Sequence, residues 1–206
     1  MLIVRKYTAE DAEGCADCFY ESFFHCPITE RDRIFLRDYA QVLIEKCSFT
    51  YVAEYEGKIV GFITGYYNRS FDSVLAGRHD VKRHYGVWAR CFLKFLIGGY
   101  RMSGPFGEAF GGFYRQARER DKKTPLSCDC ELMALCSRRD YRGGLGTALW
   151  NAFTERCGRD GAKRIRVFTN TDASYLFYEK RGFTCVWEKP YSFGGEGKSL
   201  VYEYKL

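Results

Sequence analysis

The sequence predicts an α/β fold in which short strands alternate with amphipathic helices. The chain has 206 residues, a length at which one domain buries roughly 70% of its unfolded surface. Its composition, 46% hydrophobic and 28% charged, is typical of a globular protein. Hydrophobic patterns of strand and helix period follow one another without a linker or low-complexity tract. We therefore expect a single domain over residues 1–206.

The N-terminal third predicts the order β-α-α-β-β. Asp11 follows Thr8 by three residues, which is a signature of a helix N-terminus. Glu56-Gly57 joins the second and third strands and is a hairpin signal. The predicted elements are a strand from Leu2 to Lys6, helices from Thr8 to Phe24 and from Glu30 to Lys46, and strands from Thr50 to Tyr55 and from Lys58 to Tyr67.

Residues 68–124 are too long for an ordinary connection between neighbouring elements, so we predict a helical insertion after the third strand. A glycine-rich stretch, Gly98 to Gly112, leads to a charged helix that ends near Arg120. An apolar stripe with helical spacing precedes it, and we expect this stripe to lie in the core. The stripe consists of Val81, Tyr85, Trp88, Phe92, Phe95 and Leu96.

The net positive charge of the chain comes from the insertion. Residues 78–123 hold eleven Lys or Arg against four Asp or Glu, a net of +7, whereas the whole chain carries +6. We favour a solvated helix face over an acidic partner, and do not favour nucleic acid, since no motif for base recognition accompanies the charge. A helical lid over the acceptor cleft is a further hypothesis.

The C-terminal part predicts the order β-α-β-α-β-β. Its second helix ends before Gly182, a residue typical of the position after a helix. The predicted elements are a strand from Ser127 to Ser137, a helix to Arg159, a strand from Arg164 to Thr169, a helix from Ala173 to Arg181, and strands from Phe183 to Tyr191 and from Lys198 to Lys205.

The ten cysteines indicate reduced, buried side chains rather than a disulfide framework. Cys15 and Cys18 form C-x-x-C, and Cys128 and Cys130 form C-x-C, but neither pair has a second pair at the spacing of a zinc site. We therefore expect no metal. The sequence shows neither a signal peptide nor a membrane-spanning run, which predicts a cytoplasmic protein.

The segment from Glu131 to Leu149 carries the strongest chemical signal. It places glycines and an arginine between a strand and a helix, where free backbone N–H groups and the helix dipole favour an anion. Its spacing matches neither a dinucleotide fingerprint nor a nucleoside-triphosphate loop. We predict a pyrophosphate site formed by Arg142, Gly143, Gly144, Gly146 and Thr147.

Together with the later segment T-N-T-D-A-S-Y-L-F-Y-E-K-R-G-F, this strand, loop and helix resemble the Gcn5-related N-acetyltransferase (GNAT) superfamily. The resemblance covers residues 127–206. It implies a mixed, mostly antiparallel central sheet flanked by helices. It also implies acetyl-CoA as co-substrate, with no metal.

The resemblance implies that the pyrophosphate lies on the glycine-rich loop and that the pantetheine arm pairs with Leu135, Cys136 and Ser137 like an added strand. It adds Thr171 and Ser174 to the coenzyme site. The loop departs from the family pattern. If the motif starts at Arg142, Leu145 replaces the usual glycine, and if it starts one residue earlier the arginine is lost.

Two residues are predicted to be catalytic. Tyr178 matches the family's general acid, since a phenol with a pKa near ~10 is protonated at neutral pH and can protonate the leaving thiolate. Glu131 is the candidate base, and strand alternation is expected to keep it on one face of the sheet with Leu135. A salt-bridging role is its alternative, and Asp129 is the alternate base. Cys136 lies close to the expected thioester, which leaves an acyl-cysteine route open.

We therefore expect an N-acetyltransferase that moves an acetyl group directly from acetyl-CoA to a primary amine, with the oxyanion bound by an N–H near Leu135 or Cys136. The acceptor is a small molecule or a peptide, and the protein is a monomer or homodimer without a membrane partner. A non-catalytic acyl-CoA-binding module that docks an acidic partner is the alternative.

Overall fold

In the computed structural model, the described residues are 1–68, 71, 85–119, 128–141 and 143–206. They form one seven-stranded sheet with helices on both faces. The strands are β1 Leu2–Lys6, β2 Phe49–Tyr55, β3 Lys58–Tyr67, β4 Cys130–Ser137, β5 Arg164–Asn170, β6 Thr184–Pro190 and β7 Lys198–Lys205. The helices are α1 Ala12–Phe23, α2 Glu30–Glu45, α3 Tyr85–Leu96, α4 Gly104–Glu119, α5 Leu145–Arg159 and α6 Leu176–Glu179.

The strand order in the sheet is β1-β2-β3-β4-β5-β7-β6. All neighbouring strands are antiparallel except β4 and β5, which are parallel. This confirms the mixed, mostly antiparallel sheet with flanking helices. The connection from β4 to β5 passes through α5, as a parallel pair requires.

The second helix begins at Glu30 as predicted, whereas the first α-helix begins at Ala12, later than the predicted cap at Thr8. The Thr8 N–H donates to the Asp11 carboxylate at 2.7 Å, and this turn is a short 3-10 helix, Ala9–Asp11, before α1. Thr29 and Asp32 form the same reciprocal cap on α2. The sixth helix is shorter than predicted, because only Leu176–Glu179 of the expected helix from Ala173 to Arg181 is α-helical.

Two hydrophobic clusters lie on opposite faces of the sheet. On one face, α5 packs against β2, β3, β4, β5 and β7 through Leu145, Leu149 and Phe153. On the other face, α1, α2 and α4 pack together over the sheet with many aromatic contacts. Seven of the ten cysteines are buried, and all ten are free thiols.

The insertion contains two helices, α3 and α4, and they differ in environment. Phe106 in α4 is fully buried, and Phe110 and Phe113 contact aromatic rings of α1 and α2. The fourth helix is therefore part of the core, which agrees with a rigid packed helix and not with a lid. The exposed Arg115 and Arg118 on this helix are its solvated face.

The apolar stripe in α3 is not core, and that prediction was wrong. Trp88, Phe92, Phe95 and Leu96 are all more than half exposed. The basic side chains of Lys94 and Arg90 in α3 contact Asp38 of α2. Helical spacing identifies an apolar face but does not say what that face contacts. Val81 lies outside the described residues.

Candidate active site

The sheet opens between β4 and β5. These strands pair only from Cys130 to Leu132 on β4 and from Ile165 to Val167 on β5. Beyond that point β4 stays paired with β3, and β5 stays paired with β7. A gap therefore separates residues 133–137 of β4 from residues 168–170 of β5. Pairing with β3 fixes one side of the gap, and pairing with β7 fixes the other.

A β-bulge in β4 lies where the gap begins. Thr64 pairs with Ala134 and Gly65 with Leu132, so Met133 is the extra residue. A bulge increases the local twist and turns a strand away from its neighbour. The end of pairing with β5 after Leu132 is consistent with this geometry.

The bulge also reverses the side-chain alternation. Leu132 and Leu135 pack in the same cluster against α5 although they are three residues apart. Glu131 contacts Tyr66 and Arg166, which project from the other face. Glu131 and Leu135 therefore lie on opposite faces of the sheet, and the prediction that alternation keeps them on one face was wrong.

The backbone N–H groups that face the gap can be identified from the hydrogen bonds to β3. The Arg138 N–H donates to the Val60 carbonyl at 2.8 Å. Because N–H directions alternate in an antiparallel pair, the Cys136 N–H also faces β3, and those of Leu135 and Ser137 face the gap. The Ser137 N–H already donates to the Ser22 hydroxyl at 3.0 Å. Leu135 is thus better placed than Cys136 to bind a ligand through its N–H.

The fifth helix begins at the glycine-rich loop. Gly144 is its N-cap, with a left-handed φ of 78° that favours glycine. The N–H groups of the first turn, which includes Gly146 and Thr147, have no acceptor within a helix of this geometry, an arrangement that favours an anion. Gly143 precedes the cap and is exposed. Arg142 lies outside the described residues.

Gly146 has a packing role that the loop motif does not reveal. A Cβ atom at this position would lie 2.8 Å from Cε2 of Phe177, so only glycine lets α6 approach α5 this closely. The Thr147 hydroxyl accepts a hydrogen bond from Nη2 of Arg181 at 2.7 Å. The start of α5 and the short α6 are therefore joined side by side.

Arg181 is a site residue that the sequence reasoning missed. Its guanidinium carbon lies 3.5 Å from the centroid of the Phe177 ring, and Nη1 donates to the Phe177 carbonyl. Burial lowers the pKa of Arg181 below its ordinary value. Within the described part of the chain, its buried Nε–H has no hydrogen-bond partner. This places a cation beside Thr147 at the start of α5, and no sequence spacing indicates it.

Tyr178 lies on α6, with its ring packed edge-on against Phe183 at 5.3 Å between centroids. Burial raises the pKa of Tyr178 above that of an ordinary phenol, the nearby Cys136 thiol raises it further, and Arg181 lowers it. No hydrogen bond joins its hydroxyl to another described residue. Leu135 packs in the same cluster. The tyrosine is thus protonated at neutral pH, and its hydroxyl is able to donate to a ligand.

Glu131 is buried in an ion pair. Its Oε2 atom accepts from Nη2 of Arg166 at 2.6 Å and from the Tyr66 hydroxyl at 3.0 Å. Although burial opposes it, the hydrogen bond to Glu131 raises the pKa of Arg166. Asp129 accepts the backbone N–H groups of Lys163 and Arg164 before β5. The predicted base therefore has a salt-bridging role, and the alternate base fixes the start of a strand.

The remaining predicted residues differ in position. Cys136 is buried, and burial raises the pKa of its thiol well above the ordinary value, which disfavours the thiolate that an acyl-cysteine route needs. Thr171 pairs with Lys198 at the start of β7 through its N–H and its hydroxyl. The Ser174 carbonyl accepts the Phe177 N–H as α6 begins, and its side chain is exposed.

The described residues hold neither a metal site nor a membrane-spanning helix. No three His, Cys, Asp or Glu side chains in the described ranges come together as a metal site. In the same ranges, each helix is too short or too polar to cross a bilayer.

The segment with this geometry matches a known family. Residues 113–183 match the family model described as the Acetyltransferase (GNAT) family. The match extends from α4 to the residue after Gly182 and includes the gap, the glycine-rich loop and Tyr178. A search of curated proteins gave no match.

Solved structures share the whole fold. An acetyltransferase of the GNAT family from Desulfovibrio desulfuricans has a TM-score of 0.60 at 10% identity, over 100% of this chain and 99% of its own. The aminoglycoside 6'-N-acetyltransferase from Enterococcus faecium has a TM-score of 0.59 at 12% identity, over 98% and 96%. The ribosomal-protein-alanine N-acetyltransferase from Brucella melitensis has a TM-score of 0.53 at 15% identity, over 99% of both chains.

The sheet order, the gap between the parallel strands and the matched segment confirm the resemblance that the sequence indicated. The chain has the fold of the GNAT acetyltransferases, and the part of it that forms the gap and the loop matches their family model.

Proposed function

We propose that the protein is an N-acetyltransferase that transfers an acetyl group from acetyl-CoA directly to a primary amine. The observation that carries the proposal is the gap between β4 and β5, because Cys136, in the part of β4 that borders the gap, lies close enough to Tyr178 on α6 to raise its pKa, and Leu135 and Tyr178 pack against the same core cluster. Proteins with the same fold carry N-acetyltransferase activity in their names. Their acceptors differ, and the acceptor of this chain stays open.

In this proposal the coenzyme supplies the activated acetyl thioester, and the chain binds and orients it. The first-turn N–H groups of α5, with Gly146 and Thr147, bind the pyrophosphate, and Arg142 and Arg181 supply positive charge. The free edge of β4 pairs with the pantetheine arm. The Leu135 N–H donates to the oxygen of the thioester carbonyl as it gains negative charge.

Proton transfers are assigned to the two predicted catalytic residues. Tyr178 gives its phenolic proton to the departing thiolate, and its raised pKa keeps that proton available at neutral pH. The role of Glu131 as base stays a prediction. Its carboxylate is bound to Arg166, so it must take the proton of the amine while it keeps this ion pair, directly or through a water.

The test is release of free thiol from acetyl-CoA in the presence of a mixed panel of amines that contains small polyamines, an aminoglycoside and peptides with free N-termini. We expect enzyme-dependent thiol release with at least one class, and loss of that release in Tyr178→Phe. Binding of acetyl-CoA without thiol release across the panel would favour the alternative, a non-catalytic acyl-CoA-binding module.

A further inference from the structure

The third helix is amphipathic, and two of its basic side chains bind a buried carboxylate of the protein. Nζ of Lys94 contacts the buried carboxylate of Asp38 at 2.6 Å, and Nη2 of Arg90 contacts it at 3.4 Å. The Tyr100 hydroxyl, which follows the helix, donates to the same carboxylate at 2.7 Å. Helices on globular proteins normally bury their apolar side, so this orientation requires a reason.

The outward side of this helix exposes six large apolar side chains. The exposed fractions are 55% for Trp88, 53% for Phe92, 60% for Leu93, 70% for Phe95, 63% for Leu96 and 74% for Ile97. We call these six residues the α3 face. Single exposed hydrophobic residues are common, but a contiguous group of this kind marks a contact surface.

The net charge of the segment that contains the α3 face restricts what can cover this face. Residues 85–97 contain no Asp or Glu, and the segment 78–123 carries a net charge of +7. Arg101, five residues after the end of the helix at Leu96, is exposed. A second copy of the chain would bring two such segments together, which like-charge repulsion disfavours. An anionic surface satisfies both the apolar side chains and the positive charge.

We propose that the α3 face docks on an anionic phospholipid bilayer as an interfacial helix. Tryptophan, phenylalanine and leucine side chains enter the boundary between headgroups and acyl chains, and the exposed Arg101 and the net positive charge of the segment attract the anionic headgroups. The Asp38 contacts hold the helix in this orientation before it meets the lipid. The proposal revises the expectation of no membrane partner, which rested on the lack of a spanning segment.

The test is sedimentation of the protein with vesicles of phosphatidylcholine alone or of phosphatidylcholine with about one third phosphatidylglycerol. We expect binding to the anionic vesicles that weakens with salt, and about tenfold weaker binding when Phe95→Glu and Ile97→Glu are combined. Leu206→Glu is the control, since Leu206 is 45% exposed and lies at the C-terminus, away from the α3 face.

A second measurement does not depend on a charged variant. Lipids with brominated acyl chains should quench tryptophan fluorescence in the unmodified protein, and less so in Trp88→Phe, because Trp88 is exposed on the α3 face, Trp150 is buried and Trp187 lies half-buried on β6. Absence of binding to anionic vesicles, equal quenching in Trp88→Phe, or a concentration-dependent dimer that Phe95→Glu abolishes without any vesicle binding would each overturn the proposal.

Discussion

Tyr178 packs against Phe183 and lies close enough to Cys136 and Arg181 to be influenced by both. In the proposed mechanism this hydroxyl protonates the leaving thiolate. It makes no hydrogen bond to another described residue, so it is able to donate to the coenzyme. The neighbouring Phe177 performs a different task, since it fills the space beside Gly146.

We expect Tyr178→Phe to lower kcat by ~10² with little change in coenzyme affinity, because the change removes one proton donor and hardly any packing volume. The raised pKa of Tyr178 also predicts that kcat of the unmodified protein does not fall as the pH approaches 10. Steady-state kinetics over a pH series measures both. An unchanged kcat in the variant would remove Tyr178 from the mechanism.

We expect Gly146→Ala to destabilise the protein by about 1–3 kcal/mol, because the added methyl group overlaps Phe177 and forces it away from Arg181. Gly143→Ala is the matched control, since nothing lies within 4 Å of a Cβ atom there. Denaturant unfolding measures the difference. Equal stability of the two variants would show that Phe177 moves aside without cost.

At the scale of the elements, the junction of β4 and β5 depends on Glu131 and Arg166, which form one of the three paired positions before the gap. We expect Glu131→Gln to lower the free energy of unfolding by about 3 kcal/mol, because it leaves the charge of Arg166 unpaired in a mostly buried position. Chemical denaturation measures this loss.

Glu188→Gln is the control for this prediction, because the ion pair between Glu188 and Lys198 is exposed and contributes less than about 1 kcal/mol. The double variant Glu131→Gln with Arg166→Met should lose less stability than the sum of the single changes. Additive losses would show that the two residues act independently. A catalytic role of Glu131 would appear separately, as loss of the acid limb of the kcat profile.

At the scale of the whole molecule, binding of acetyl-CoA is expected to stabilise the fold. A ligand that binds only the native state at a hundred times its Kd adds about 2.7 kcal/mol, which raises the Tm by roughly 5–10 °C in a chain of this size. We expect Arg142→Glu to remove most of this increase. Thermal unfolding with and without acetyl-CoA measures it.

Arg115→Glu is the charge-matched control, since Arg115 is exposed on α4. It should leave the increase in Tm intact. An unchanged Tm in the unmodified protein at millimolar acetyl-CoA would contradict the pyrophosphate site.

The single-domain organisation and the cytoplasmic location stay predictions.

The sequence by itself determined the elements and the family. Strand and helix periodicity with capping residues such as Thr8 and Thr29 specify local structure, because these signals act within a few residues. The glycine-rich loop and the segment around Tyr178 also lie within short stretches. Their joint occurrence indicated the fold and the candidate acid.

Only the tertiary structure decided the features that depend on contacts between distant residues. The bulge at Met133 arises from pairing with β3, and the ion pair of Glu131 arises from its position opposite Arg166 on β5. Arg181 meets Thr147 across 34 positions of sequence. The buried carboxylate of Asp38 binds Lys94 of α3, while Trp88, Phe92, Phe95 and Leu96 of the same helix stay exposed. Periodicity defines the two sides of a helix, and the partner chosen in three dimensions decides which side is buried.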